Sequence, residues 1–279
     1  MKKNPISIMT FVFNADLEAG RITIEQLVEG LKQIGYDGVE LFQDDLAKDH
    51  RSAGRYRRVM KAAGIKLSCL DIICDPVSLN AGERKKSMDY IRAGIDLAHE
   101  YDCNQGLVAG ALGKPGITPS EARKMIADSI ASQVEYARQA GVTLMIEDFG
   151  MDPEIQCRAK DCLEVLNKAG NGDVKFTYDT GNFIFSGEDT MLNLPKFLPL
   201  IHHVHFKSWR RLADRQPEDN GIFGEFIACP IDQGLIPNQA LLKQILDNGY
   251  QRWLSLECGA LAEPLATAAR DFGALQKWL

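Results

Sequence analysis

Residues 34–40 read IGYDGVE, where an apolar helical segment ends at Gly35, a short turn follows and a β-rich segment begins at Gly38. Glycine suits this position because helices commonly end on a residue in the left-handed conformation. The same pattern recurs as AGIKL at residues 63–67, AGVTL at 140–144 and NGY at 248–250. A repeated passage from helix through glycine to strand predicts strictly alternating helices and strands, and therefore a parallel sheet.

Eight short segments are rich in Val, Ile, Leu and Phe, as expected of strands buried on both faces. They are Ser7–Phe13, Gly38–Phe42, Lys66–Ile72, Gln105–Ala109, Thr143–Glu147, Val174–Asp179, His202–Phe206 and Trp253–Glu257. Amphipathic segments with apolar residues three and four positions apart separate them. They include Thr23–Ile34, Glu83–Glu100, Glu121–Ala140, Asp161–Ala169, Gln239–Asn248 and Pro264–Leu279. In a chain of 279 residues this pattern favours an α/β fold, a closed (β/α)8 TIM barrel forming a single domain over residues 1–279.

Composition narrows the classes of function. With 32 Lys and Arg against 38 Asp and Glu, the net charge is −6, which argues against a nucleic-acid partner. The seven cysteines show no CxxC pair, so we expect reduced thiols and a cytoplasmic protein. No apolar run reaches the length of a membrane helix, and Ile6–Phe13 is interpreted as the first strand rather than a signal peptide. Lys207–Leu235 is the longest segment predicted to be irregular, as binding loops and lids often are.

Six of the eight predicted strands finish on, or next to, an ionisable residue. These residues are Glu40, Asp71, Glu147, Asp179, His205 and Glu257. Barrel enzymes place their active sites at the carboxyl ends of the strands, so this pattern predicts a site there. Any one of these residues, taken alone, could equally be a helix cap or a solvent-facing strand end. Glu147 and Glu257 each close an apolar strand, where a carboxylate is costly unless it is paired, protonated or bound to a cation.

Carboxylates together with an imidazole form a set of hard oxygen and nitrogen donors. Such a set suits Mn²⁺, Mg²⁺ or another octahedral divalent ion better than a structural thiolate zinc site. A metal with open coordination positions would act as a Lewis acid on a carbonyl and its neighbouring hydroxyl. Carboxylates beside it could move a proton on and off the carbon between them. This chemistry points to proton transfer on a small hydroxy-carbonyl compound.

At these residues the chain resembles the xylose-isomerase-like barrel superfamily, in its sugar-phosphate isomerase/epimerase branch. Relatives include ketose 3-epimerases, hydroxypyruvate isomerase, inosose isomerase and dehydratase, and more distantly the DNA-repair endonuclease IV. The resemblance spans nearly the whole chain, from residues 35–41 to the last strand. Its informative phrases are MIED at residues 145–148, YDTGN at 178–182, HVHFK at 203–207 and LE at 256–257.

The resemblance implies one divalent metal held by Glu147, Asp179, His205 and Glu257. Mn²⁺ is our first choice, and Mg²⁺, Co²⁺ or Zn²⁺ are alternatives. It also implies that Glu147 and Glu257 act as the acid and base. His203 lies on the same strand face as His205, and the residues leave open whether it is a second ligand or a deeper residue hydrogen-bonded to a neighbour.

The chain departs from its relatives at two points. Many relatives have a substrate-contacting His where this chain has Asn182, and a Lys-Asp pair where it has Lys207-Ser208. Relatives often keep a substrate-binding carboxylate in the loop where Glu154 lies. The candidate substrate-binding residues are thus Asn182, Lys207, Glu154, Glu40 and Asp71. For two of them an alternative is equally open: Glu154 as a plain loop residue and Lys207 as a surface or salt-bridged lysine. Arg210 and Arg211 are weaker candidates, and Trp209, Phe223 and Phe226 are either a lid over a sugar or residues packed for stability.

These observations predict a metal-dependent isomerase or epimerase of a small sugar, keto-sugar or polyol. A dehydratase or lyase on a keto-sugar or inosose is the nearest alternative, because it begins with the same proton abstraction. An endonuclease IV-like phosphodiesterase is a remote alternative, since the chain has only five His and no basic stripe. A binding protein that lost its chemistry is disfavoured by the presence of all four implied ligands. We expect no membrane partner, and the sequence allows a homo-oligomer.

Overall fold

The computed structural model describes residues 4–49, 54–170, 172–217, 219, 221–258 and 264–279. The strands of the barrel are separated by helices along the chain, as predicted. The strands are β1 (Ile6–Met9), β2 (Gly38–Phe42), β3 (Lys66–Ile73), β4 (Gln105–Ala109), β5 (Thr143–Glu147), β6 (Lys175–Asp179), β7 (Ile201–Phe206), β8 (Ser208–Arg211), β9 (Ile222–Phe223), β10 (Phe226–Cys229) and β11 (Leu254–Leu256).

The helices occupy most of the segments between the strands. They are α1 (Asn14–Glu18), α2 (Ile24–Ile34), α3 (Gln43–Asp49), α4 (Arg55–Ala63), α5 (Ala81–Glu100), α6 (Pro119–Gln139), α7 (Pro153–Gln156), α8 (Ala159–Gly170), α9 (Thr190–Phe197), α10 (Asn238–Asp247) and α11 (Pro264–Trp278). Among the described residues, no helix is both long enough and apolar enough to cross a membrane.

The strands β1 to β7 and β11 have the order of a closed barrel, β1-β11-β7-β6-β5-β4-β3-β2. This order confirms the predicted fold class, a (β/α)8 TIM barrel. The chain also divides into two compact units, one of Met1–Ser68 with His203–Leu279 and the other of Cys69–His202. That residues 1–279 form a single domain stays a prediction.

In the first unit, β2, β1, β11 and β7 pair side by side in parallel. Ile8 pairs with both Val39 and Leu256, and Leu256 pairs with Phe206. This level register brings the carboxyl ends of the four strands to one edge. All four of these residues are nearly inaccessible to solvent, as expected of strands covered on both faces.

In the second unit, β6, β5, β4 and β3 pair in parallel in the same way. Cys69, Leu107, Ala109 and Met145 form a buried cluster on these strands, with Phe149 packed against it. On β6, the ring of Phe176 stacks on that of Phe197 from α9, with ring centroids 4.2 Å apart. Packing of this kind buries the apolar faces that the sequence pattern predicts.

Local sequence signals explain where helix α2 begins and ends. Thr23 caps the first turn by accepting from the backbone N–H of Gln26, whose side chain accepts from the Thr23 N–H in return. The helix ends at Gly35, which has a φ of 117°. A Cβ there would lie 2.9 Å from the Phe272 ring, so both conformation and space favour glycine.

Two sequence predictions need correction. The first strand was predicted over Ser7–Phe13, but β1 ends at Met9 and Thr10–Phe13 form a 3-10 helix. Lys207–Leu235 is not irregular throughout, because β8, β10 and β9 form a small antiparallel sheet there. These strands have only two to four residues, too few for hydrophobic periodicity to reveal them.

Candidate functional site

In the first unit, the buried carboxylate of Glu40 accepts hydrogen bonds from three side chains. The Nε2 atoms of His203 and His205 lie 2.9 and 3.0 Å from its two oxygens, and the Ser255 hydroxyl donates at 2.6 Å. Burial by itself raises the pKa of Glu40, but the charges and hydrogen bonds of His205 and His203 outweigh it and hold the pKa well below its usual range. Glu40 is therefore an ionised buried group surrounded by donors.

His203 and His205 extend from one face of β7 because they are two residues apart in a strand. Their ring centroids are 5.1 Å apart and the ring planes are nearly perpendicular. Of the two interpretations that the sequence left open for His203, the structure shows the hydrogen bond to a neighbour, Glu40. Glu40, His203 and His205 also form one of the groups among the described residues whose donor atoms lie close enough to hold a metal ion.

Glu257, which follows β11, lies beside both His205 and Lys207. Its Oε1 atom is 2.6 Å from Nζ of Lys207, and its Oε2 atom is 3.6 Å from Nδ1 of His205. The Glu257 side chain retains 18% exposure, whereas Lys207 retains 9% and His205 none. The first unit thus brings together four sequence-predicted residues, Glu40, His205, Lys207 and Glu257.

In the second unit, Glu147 ends β5 and the adjacent Asp148 is completely buried. Oδ1 of Asp148 accepts the backbone N–H of Asp179 at 3.1 Å. Burial, and then the negative charges of Asp179 and Glu147, raise the pKa of Asp148 well above its ordinary value. Three carboxyl groups near one another at a buried place favour a bound cation.

Asp179 ends β6, and its own backbone turn holds its side chain in place. Oδ1 accepts the N–H groups of Gly181 and Asn182 at 2.7 and 3.0 Å. Asn182 is itself buried, and its carbonyl accepts from the Cys157 thiol at 3.1 Å. The second unit therefore contributes Glu147, Asp179 and Asn182 at the ends of neighbouring strands.

The remaining predicted residues differ in their surroundings. Asp71 is buried on β3. Glu154 is at the surface, where its carboxylate pairs with Arg158 at 2.6 Å.

The candidate lid residues pack within or against the small sheet. Arg210 forms an ion pair with buried Asp219 at 2.7 Å, and the Trp209 and Phe223 rings lie 6.5 Å apart between centroids. The Arg211 guanidinium lies 5.7 Å from the centre of the Phe226 ring. These contacts support the packing interpretation of the aromatic residues in this segment.

Sequence reasoning missed Ser255 and Asp148 as parts of these clusters. Ser255 was detectable in principle, because a residue two positions before Glu257 on a strand shares its face. Asp148 directly follows Glu147, but whether an Asp after a strand is buried or exposed depends on what packs over it. The structure buries it fully.

A model of the xylose isomerase-like TIM barrel family matches residues 28–278, and the chain belongs to this family. The resemblance found in the motifs is thereby confirmed. Among curated relatives, fructoselysine 3-epimerase from Shigella flexneri is 22% identical and covers 85% of this chain and 86% of its own length. Inosose dehydratase from Lacticaseibacillus casei is 24% identical and covers 85% of this chain and 82% of its own length. The curated relatives of this chain therefore include an epimerase and a dehydratase.

Solved structures share the fold. D-allulose 3-epimerase from Methylomonas sp., in complex with D-allulose, has a TM-score of 0.78 at 14% identity, covering 100% of this chain and 98% of that one. A xylose isomerase-like TIM barrel protein from Mycobacterium smegmatis, in complex with magnesium, has a TM-score of 0.75 at 17% identity, with the same coverage. At these identities the likeness is one of fold.

Proposed function

We propose that this protein is a divalent-metal-dependent isomerase or epimerase of a small sugar, keto-sugar or polyol. The observation that carries the proposal is the accumulation of carboxylates and imidazoles at strand ends in both units. In the first unit these are Glu40, His205 and Glu257, and in the second Glu147 and Asp179. Carboxyl ends of barrel strands are where enzymes of this fold carry out their chemistry.

The proposed metal ligands are Glu147, Asp179, His205 and Glu257. The donor set of oxygen and nitrogen atoms fits Mn²⁺ best, with Mg²⁺, Co²⁺ or Zn²⁺ as alternatives. The pKa of Asp148 is raised by its burial and then by the negative charges of Asp179 and Glu147, and carboxyl groups close together in a buried place support a bound cation. When bound, the ion would supply Lewis-acid polarisation of a substrate carbonyl.

Glu147 and Glu257 are the proposed acid and base. One carboxylate removes the proton from the carbon next to the carbonyl, leaving an enediolate, and the other returns a proton. The ion pair with Lys207 holds the Glu257 carboxylate in one orientation. General acid–base catalysis by such positioned groups contributes about 10²–10⁴-fold to the rate.

Substrate contacts are proposed for Asn182 and Lys207, which lie beside Asp179 and Glu257 respectively. An amide and an ammonium group both suit the hydroxyl or carbonyl oxygens of a sugar. Glu154, Glu40 and Asp71 stay predicted substrate contacts from the sequence. The seven cysteines are all free thiols, which supports the expectation of a cytoplasmic protein.

A dehydratase acting on a keto-sugar or inosose is the second candidate. The similarity to inosose dehydratase favours it. Both reactions begin with removal of the proton next to the carbonyl, and they differ in whether water then leaves. The same residues serve either reaction, so the products must distinguish them.

The test is incubation of the purified, Mn²⁺-loaded protein in D₂O with D-allulose, fructoselysine and inosose in turn. An epimerase incorporates deuterium at the carbon next to the carbonyl and inverts that same carbon, whereas a dehydratase yields an unsaturated product. Chelation should abolish turnover and Mn²⁺ should restore it. Turnover that survives complete removal of divalent ions would contradict the proposed metal dependence.

Variants then test the assigned residues. Glu147→Gln and Glu257→Gln should each lower kcat by about 10²–10⁴-fold, because an amide cannot exchange the proton. Glu135→Gln is the matched control, since Glu135 is exposed on α6 and pairs with Arg138 and Gln139 of the same helix. Its rate should stay within about twofold of wild type. Full activity in either of the first two variants would remove that residue from the chemistry.

A further inference from the structure

We propose that Glu40 is a positioning residue, which orients the His205 ring so that its Nδ1 atom faces the metal ion. The inference rests on the proposed function, in which His205 is a ligand. It gives Glu40 a role different from the substrate contact that the sequence predicts.

The Glu40 carboxylate bonds one imidazole with each of its oxygens. Oε1 accepts from Nε2 of His205 at 3.0 Å, and Oε2 accepts from Nε2 of His203 at 2.9 Å. Glu40 is 1% exposed and both imidazole side chains are fully buried. One carboxylate therefore holds two rings at once, one on each oxygen, in a place that solvent barely reaches.

Nδ1 of His205 is the ring nitrogen that does not bond Glu40. A neutral imidazole carries one N–H, and a hydrogen bond from Nε2–H to a carboxylate makes Nδ1 the nitrogen with the lone pair. Nδ1 of His205 lies 3.6 Å from Oε2 of Glu257, another proposed ligand. The nitrogen directed away from Glu40 therefore lies on the side where the ion is proposed. Carboxylates commonly orient metal-binding imidazoles in this way.

Two hydroxyl groups hold Glu40 in place. The Ser255 hydroxyl donates to Oε2 at 2.6 Å, and the backbone carbonyl of Glu40 accepts from the Thr10 hydroxyl at 3.1 Å. Ser255 pairs directly with His205 in the register of β11 and β7. The carboxylate is thus held by side chains of β7 and β11, and cannot turn away from His205 without also breaking the buried hydrogen bonds from His203 and Ser255.

The test compares Mn²⁺ affinity in two variants by isothermal titration of the purified full chain. Glu40→Gln keeps the shape but replaces one acceptor oxygen by an NH₂ group, which cannot accept from Nε2–H. We expect its Mn²⁺ affinity to fall about 10–100-fold. Asp161→Asn is the matched control, because Asp161 is a buried carboxylate of the second unit that pairs with Arg123 instead. Its affinity should match wild type even if its stability falls.

A metal-free measurement separates this inference from the proposed function. Long-range ¹H–¹⁵N NMR of the chelator-treated wild-type protein at mildly alkaline pH should show the Nε2–H tautomer for both His203 and His205. In Glu40→Gln, at least one ring should change tautomer or become a mixture. If wild type binds no divalent ion, the proposed metal site fails, and the tautomers still show whether Glu40 sets the rings.

Two results would overturn the inference. One is an Mn²⁺ affinity in Glu40→Gln within twofold of wild type, and the other is an Nδ1–H tautomer of His205 in wild type. Should Glu40→Gln not fold, Glu40→Asp replaces it, because it keeps the charge but withdraws the carboxylate by one methylene group. Wild-type affinity in Glu40→Asp would likewise overturn the proposal.

Discussion

The carboxylates of Glu40, within β2, and of Asp148, directly after β5, are both buried, yet their electrostatic surroundings are opposite. Glu40 is surrounded by donors, and its pKa lies well below the usual range because of His205 and His203. Asp148 is surrounded by carboxylates, and burial together with Asp179 and Glu147 raises its pKa. The first group is satisfied by protein side chains, whereas the charges that raise the pKa of the second are negative. Position in a fold therefore does not determine protonation; the neighbours do.

The largest expected change in the free energy of unfolding comes from removing the Glu40 carboxylate. In the metal-free protein, Glu40→Ala should lower the free energy of unfolding by about 3–5 kcal/mol, because it removes the buried carboxylate to which Nε2 of both His203 and His205 donates. Denaturant unfolding measures this. Glu135→Ala, at an exposed position, should change stability by less than about 0.5 kcal/mol. An equally small effect at Glu40 would mean that the cluster contributes nothing to the fold.

A smaller loss of stability is expected from Ser255→Ala. It removes one of three donors to Glu40 and leaves no new buried donor without an acceptor. The loss should be about 1.5 kcal/mol, as for a hydrogen bond to a charged group. The variants Ser255→Ala and Glu40→Ala should be non-additive when combined, because they share one interaction. Additive losses would indicate that the serine acts elsewhere.

The smallest change in stability is expected from Asp148→Asn. It is a gain, whereas the two variants above lose stability. The amide oxygen can still accept the Asp179 N–H, while the repulsion from Asp179 and Glu147 is removed. The metal-free protein should gain roughly 0.5–1 kcal/mol of stability near neutral pH. A loss of several kcal/mol would show that the Asp148 charge is required, and the contrast with Glu40 would fail.

The pH dependence of the stability gained in Asp148→Asn is a control for its assigned cause. Because the folded pKa of Asp148 is raised, its contribution to stability is present below the unfolded value of about 3.9 and is lost as the pH rises through the folded value. The difference between Asp148→Asn and wild type should therefore vanish in acid and grow as the pH increases. Unfolding curves of the chelator-treated proteins across this range measure it.

Much of the architecture was predictable because it rests on local signals. The strands Gly38–Phe42, Gln105–Ala109 and Thr143–Glu147 were predicted with their observed ends. Glycine endings and apolar periodicity mark such elements directly. The short strands β8, β9 and β10 were missed, since their pairing depends on residues that meet only after the chain turns back.

The candidate site was predictable as a set of residues but not as a set of interactions. An ionisable residue at a strand end is visible in the sequence, and this identified Glu40, His205 and Glu257. The partner that each carboxylate meets depends on strand register and on burial. Glu40 accepts from His203, which is 163 positions away in the chain, and from Ser255, which is 215 positions away.

The sequence by itself therefore determined the alternation of helices and strands, the class of fold and the residue types at the strand ends. These follow from hydrophobic periodicity, turn chemistry and the direction of parallel strands, all of which act over short distances along the chain. The tertiary structure alone decided that Glu40 is enclosed by donors while Asp148 is enclosed by acids. The energy of a buried charge depends on the groups within a few ångströms in space, and strand pairing brings those groups together from distant parts of the chain.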